Sequence, residues 1–161
     1  MESPLIPEPI AVSPYVFMIG ETVYRVEDLP TLALSIQQPW AWLILTRIKD
    51  VENRDWATQH RGPFLIHTGQ RYDWAGHNFI QRHRPRLAIP PDLPMGGIVG
   101  WANLTDVITD RKPRGLWFLG PYGFTLADAL PLPFMPVPGR LKFFSCCYEL
   151  ADPRPGLEVK K

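Results

Sequence analysis

The chain has 161 residues, 45% of them apolar and 20% charged, with a formal net charge of +1. These values fit one soluble globular domain large enough to bury a core, and they exclude a disordered or low-complexity chain. A near-zero charge also excludes a global field that would draw the chain onto nucleic acid or an anionic membrane, so any phosphate contact must come from a local patch.

The first fourteen residues, MESPLIPEPIAVSP, are rich in proline and read as loose. They lack the basic start and unbroken apolar stretch of a signal peptide, and no later apolar run approaches the roughly 20 residues that span a bilayer. A cytoplasmic protein without membrane attachment is expected. Tyr15–Ile19 and Thr22–Val26 flank Gly20-Glu21 and predict a hairpin within an N-terminal extension, residues 1–30.

Residues 32–56, LALSIQQPWAWLILTRIKDVENRDW, form the most informative stretch. Pro39 suits the first turn of a helix, and Trp40, Leu43 and Ile44 then fall on one apolar stripe. The 39–47 helix empties into Lys49-Asp50-Val51-Glu52-Asn53-Arg54. Globular chains rarely bury Lys, Glu or Arg unless they are paired or used. Alternation from Asp50 to Trp56 puts Glu52, Arg54 and Trp56 on one strand face, with Val51 and Asn53 on the other. Two residues along a strand span roughly 7 Å, so Glu52 and Arg54 can touch one ligand or each other. Lys49, at the corner, can swing towards the same face. Both a ligand site and a plain Glu–Arg pair beside a surface lysine satisfy this pattern.

Phe64–His67 reads as a buried strand that ends in His67, either a ligand donor or a satisfied core histidine. Residues 72–83 read as a helix limited by Pro85. Around it, Arg71, Arg82, Arg84 and Arg86 face one acid, Asp73, in a run that also holds Tyr72 and Trp74. Arginine forks pair with phosphate and aromatic faces stack on bases, so this run is either an RNA backbone track or a solvated helix end. Ile98–Leu104, Phe124–Leu126 and Arg140–Leu150 predict later strands, with Pro131-Leu132-Pro133 and Pro136-Val137-Pro138 as extended connectors. Tyr122 is expected in a glycine-rich turn, where it either stacks on a base or closes the barrel. Ser35 is read as a helix-entry residue or, with Gln37, as a ligand contact. Cys146 and Cys147 are adjacent and match no zinc spacing, so two small buried residues in a last strand are expected, with no metal and no other cofactor.

Several of these motifs carry a family resemblance. Ser-Ile-x-Gln-Pro-Trp, then Lys-x-x-Glu-x-Arg, then Arg61-Gly62-Pro63-Phe64-Leu65-Ile66-His67 resembles the ASCH domain family. Gly96-Gly97-Ile98-Val99-Gly100 and Gly120-Pro121-Tyr122-Gly123-Phe124 extend the likeness over residues 31–150, leaving 151–161 as a tail. The family motif Gly-x-Lys-x-x-Glu-x-Arg maps onto Arg47, Lys49, Glu52 and Arg54, with Arg47 in place of the glycine. The resemblance implies an α+β fold, a small PUA-like β-barrel with flanking helices, and an association with RNA.

Two functions follow as expectations. In the first, the domain binds RNA or a nucleotide in a cleft of Lys49, Glu52 and Arg54, with Trp40 and Trp56 as stacking faces. Ser35, Gln37, His67 and Tyr122 complete the candidate contacts, and Arg71, Arg82, Arg84 and Arg86 hold the backbone. The alternative is a small hydrolase acting on acylated cytidine or on RNA, with Lys49 and Glu52 catalytic. In the amidohydrolase subgroup a threonine stands three residues after the lysine; here that position is Glu52, which puts the transfer of that activity in doubt.

Overall fold

The computed structural model describes residues 6–109 and 115–153. A three-stranded antiparallel sheet comes first: β1 (Pro9–Ser13), β2 (Val16–Ile19) and β3 (Thr22–Arg25). β2 and β3 turn around Gly20-Glu21, with Ile19 opposite Thr22. Pro9–Ser13 lies in the stretch expected to be loose; it pairs with β2 through Ile10 opposite Met18. Residues 1–5 and 154–161 lie outside the described residues.

A six-stranded sheet follows, in the order β5-β8-β7-β6-β4-β9. Its strands are β4 (Leu32–Ser35), β5 (Val51–Arg54), β6 (Gly62–Thr68), β7 (Gly97–Ile108), β8 (Tyr122–Pro136) and β9 (Phe143–Ser145). Two helices complete the fold, α1 (Trp40–Leu45) and α2 (Trp74–His83). β4 and β6 run parallel, and the other pairs are antiparallel. Three register shifts along β7 and β8 bend the sheet, since each bulge adds twist and a local kink. The curled sheet is a half-barrel of the PUA-like type, mostly β with two helices.

Both faces of the half-barrel are covered, which explains the unbroken apolar run in β6. Phe64 and Ile66 join Leu34, Ile44 and Phe124 on the concave side, under α1. Leu65 points the other way and packs with Ala33, Ile98 and Phe17, the last from the N-terminal sheet. Gly100 lets α1 come down on β7: a Cβ there would stand 2.3 Å from Leu45 Cδ2 and 2.6 Å from the Leu130 carbonyl oxygen.

The late chain departs from the sequence reading. Pro131 and Pro133 lie inside β8, not in a connector. β5 pairs only with Tyr122–Thr125, so beyond that point one side of β8 has no strand neighbour in this sheet, and prolines are tolerated on such an edge. The strand expected over 140–150 shrinks to Phe143–Ser145. Cys146 and Cys147 follow it, the first buried and the second exposed.

Candidate functional site

α1 delivers the chain to the site through a tight corner. Arg47 stands at φ +61°, the left-handed position after a helix that glycine fills most cheaply. The helix still ends cleanly: Ile48 and Lys49 both donate backbone N–H bonds to the Leu43 carbonyl, each 3.0 Å. The Arg47 Nε donates to the Ala129 carbonyl at 3.0 Å, tying the corner to β8.

Lys49, Glu52 and Arg54 then form a continuous ion ladder. Lys49 Nζ lies 3.4 Å from Glu52 Oε2, and Glu52 Oε1 lies 3.4 Å from Arg54 Nε. Arg54 Nη2 also donates to the Ser35 carbonyl. Lys49 is only 4% exposed and Glu52 8%. The lysine ammonium also sits 4.5 Å from the Trp40 ring centroid, a cation–π contact. Burial pushes the Lys49 pKa down. Glu52 opposes that shift as the larger countervailing charge, while Arg54 adds to it.

A cleft of about 470 Å³ opens above this ladder, lined by Ser35, Gln37, Trp40, Glu52, Arg54 and Trp56, with Asn53, Asp55, Asp73 and Pro121 among its other walls. Its size suits a small ligand or a single base. Lys49 does not line it. The lysine lies beneath, its ammonium turned to Glu52, and has not swung onto the strand face. Trp56 falls one bend after β5, yet its ring still reaches the cleft, wedged edge-on against Phe124 at 5.2 Å and Phe143 at 5.8 Å. Trp40 donates its indole N–H to Asp73 Oδ2 at 2.7 Å, which fixes the ring.

The remaining sequence-predicted residues divide. Gln37 is exposed on the rim. Ser35 caps no helix; Pro39 stands at the start of α1 without a side-chain bond, and Ser35 Oγ instead lies 2.8 Å from His67 Nδ1. His67 is buried, and its Nε2 lies 2.7 Å from the Val137 carbonyl. A carbonyl can only accept, so Nε2 carries a proton and donates to Val137, while Nδ1 pairs with the Ser35 hydroxyl. His67 therefore faces an adjoining cavity and not the cleft. Tyr122 is no turn residue: it opens β8 opposite Arg54 and packs partly on the core. Arg71, Arg82, Arg84 and Arg86 are all exposed around α2, and among the described residues Arg84 alone of the four has a ring contact, 5.9 Å from Trp117.

Two wall residues escaped sequence reasoning. Asp73 caps α2, with Oδ1 accepting from the Gly76 N–H at 2.9 Å while Oδ2 holds Trp40. The helix expected over 72–83 runs through Asp73, whose residue type is an N-cap signal that would move the start to Trp74, although nothing local reveals the second contact. The Asn53 side chain is spent on the neighbouring loop and not on the cleft's floor. Its amide donates to the Trp117 carbonyl and accepts from Leu119 and Gly120, so it pins the loop that carries Pro121. Among the described residues no group of three or more His, Cys, Asp or Glu could hold a metal, and no helix is long and apolar enough to cross a membrane.

The fold is a curled PUA-like half-barrel, with a charged, tryptophan-flanked cleft at the end of its first helix. The chain belongs to the ASCH domain family, whose model matches residues 34–117, and this PUA-like family is often linked to RNA binding. Among characterised proteins the chain is similar to activating signal cointegrator 1 of Mus musculus, 35% identical over 85 residues, and to that of Homo sapiens, 31% identical over 85 residues. In each case the match covers 49% of this chain but only 15% of the relative.

Proposed function

We propose that the cleft binds one unstacked base of a nucleotide or single-stranded RNA. The supporting observation is a donor and an acceptor held side by side on a rigid wall. Glu52 and Arg54 both line the cleft and are oriented by the buried ladder, in which Arg54 Nε lies 3.4 Å from Glu52 Oε1. Base recognition in RNA works through such edges on bases that also stack on aromatic rings. Trp56 and Trp40 supply those rings. With Glu52, Asp55 and Asp73 on the wall, the cleft favours bases that carry an exocyclic amine, as in cytosine or adenine, over uracil. The exposed arginines around α2 serve the backbone.

One observation favours a second reading as a hydrolase of acylated cytidine or of RNA. The lowered pKa of Lys49 moves it towards a neutral amine capable of base catalysis. Its position beneath Glu52, away from the cleft surface, counts against direct attack, and leaves Glu52 as the group that would meet water.

The two readings separate in a binding and turnover assay with cytidine, acylated cytidine and short RNAs, on wild type beside Lys49→Ala. Because Lys49 acts from beneath the cleft by holding Glu52, binding is expected to weaken in the variant through loss of that orientation, with no product from either protein. Release of an acyl group or cleaved RNA by wild type, lost in Lys49→Ala, would replace the binding reading by the hydrolase.

A further inference from the structure

The cleft is a poor place for a phosphate. Three carboxylates, on Glu52, Asp55 and Asp73, line it against one lining cation, Arg54, and an anion entering there meets net repulsion in a partly desolvated site.

Across Ser35 the chemistry reverses. A second cavity of about 370 Å³ shares Ser35 with the cleft and is bounded by His67, Gln70, Gly139 and Arg140. Arg140 is the one permanently charged residue among those that line it. The Arg140 guanidinium is exposed and makes no ion pair or hydrogen bond among the described residues, and the consecutive amides of Gly139 and Arg140 donate to nothing there. Gly139 brings this backbone down onto the Ser35–His67 pair: a Cβ would stand 2.5 Å from His67 Cε1 and 2.7 Å from Ser35 Oγ. Only glycine permits that approach. A guanidinium beside two backbone amides without partners among the described residues is a donor set suited to an anion, for which charge-assisted bonds are the strong ones. The same short segment also serves the cleft, since Lys142 Nζ lies 5.6 Å from the Trp56 ring centroid. Gly139–Lys142 thus straddles the wall between an acidic cavity and a basic one.

We propose that the cavity at Gly139 and Arg140 is a phosphate subsite, so that the ligand is a nucleotide or RNA strand whose base fills the cleft and whose phosphate passes over Ser35. The base half of this statement rests on the reading given above; the phosphate half stands on the second cavity alone. No arginine of α2 takes part in it.

An amide-resolved NMR titration tests it, with inorganic phosphate, cytidine, cytidine 5′-monophosphate, cytidine 3′-monophosphate and a cytidine dinucleotide, on wild type and Arg140→Ala. Inorganic phosphate is expected to shift the Gly139 and Arg140 amides of wild type but not the corresponding amides of the variant. At least one phosphorylated ligand should bind about tenfold to a hundredfold more tightly than cytidine. Arg140→Ala should remove that gain while leaving cytidine affinity unchanged, and the ligand with the largest gain distinguishes a terminal phosphate from a strand diester. A gain that survives Arg140→Ala, or no gain and no phosphate-induced shift, overturns the subsite. If cytidine fails to bind while phosphate still shifts the two amides in an Arg140-dependent way, the base reading fails and the subsite stands.

Discussion

Two clusters of charge in this protein look alike as sequence and behave oppositely as structure. The ladder Lys49–Glu52–Arg54 is nearly dry, with side chains 3%, 11% and 19% exposed. Arg71, Arg82, Arg84 and Arg86 stand in solvent around α2. In the first, each charge is held by its neighbours because an uncompensated charge there is expensive. In the second, solvent already stabilises the charge, and no ion pair among the described residues fixes the side chains. A buried ladder can fix atoms for base reading; an exposed row can supply only sequence-independent attraction. The two regions should therefore fail differently when altered.

The largest effect is expected from Glu52→Ala. It strands two buried cations, and denaturant unfolding should show a loss of about 3–5 kcal/mol. Lys49→Met retains an apolar stem and leaves Glu52 its Arg54 partner, so it should cost less than half as much. Equal losses in the two variants would mean that Glu52 is not the hinge of the ladder.

The same pair gives a pH test. The Lys49 pKa is lowered in the folded state, chiefly by burial, so the unfolded chain binds more protons at this residue. Its contribution to stability therefore rises with pH through the window between the lowered folded value and the ordinary lysine value of about 10.4. Unfolding measured across that window should show wild type gaining on Lys49→Met as pH increases. A difference that is flat, or that narrows, would place the lysine in water.

The exposed row should respond weakly in stability and clearly in salt. Arg82→Ala with Arg84→Ala is expected to change unfolding free energy by no more than about 1 kcal/mol, including the contact of Arg84 with Trp117. Affinity for single-stranded RNA should fall alike for all sequences, with the slope of log K against log salt flattened by about 0.7 per lost phosphate contact. An unchanged slope would remove these arginines from the backbone track. The smallest effect belongs to Arg47→Gly, where relief of a left-handed backbone worth about 1 kcal/mol offsets the lost bond to Ala129. Its unfolding midpoint should hardly move.

Much of the fold was readable from periodicity. The apolar stripe of α1, the buried run of β6 and the second helix all announce themselves in local pattern, and the motif order pointed to the ASCH family. The misses share a physical cause. Pro131 and Pro133 argue against a strand unless it is known that β8 outruns β5 and leaves an edge. Ser35 and His67 meet across parallel strands 32 residues apart, and Asp73 reaches Trp40 from 33 residues away. Such contacts leave no trace in local spacing. Lys49 was placed at the right corner, but whether its ammonium faced solvent or Glu52 depended on the depth of the floor beneath it. The cationic segment at Arg140 and Lys142 was hidden by reading it as strand.

The most direct test of the central claim is the affinity ratio of short oligo(C) over oligo(U), measured by calorimetry at fixed salt on wild type, Glu52→Gln and the Arg82→Ala/Arg84→Ala double variant. Glu52 accepting from an exocyclic amine predicts that wild type favours oligo(C), that Glu52→Gln reduces the ratio by about tenfold or more, and that the arginine variant binds both more weakly at an unchanged ratio. A ratio that survives in Glu52→Gln, or that falls only when the arginines are removed, would contradict the claim that the buried ladder reads the base.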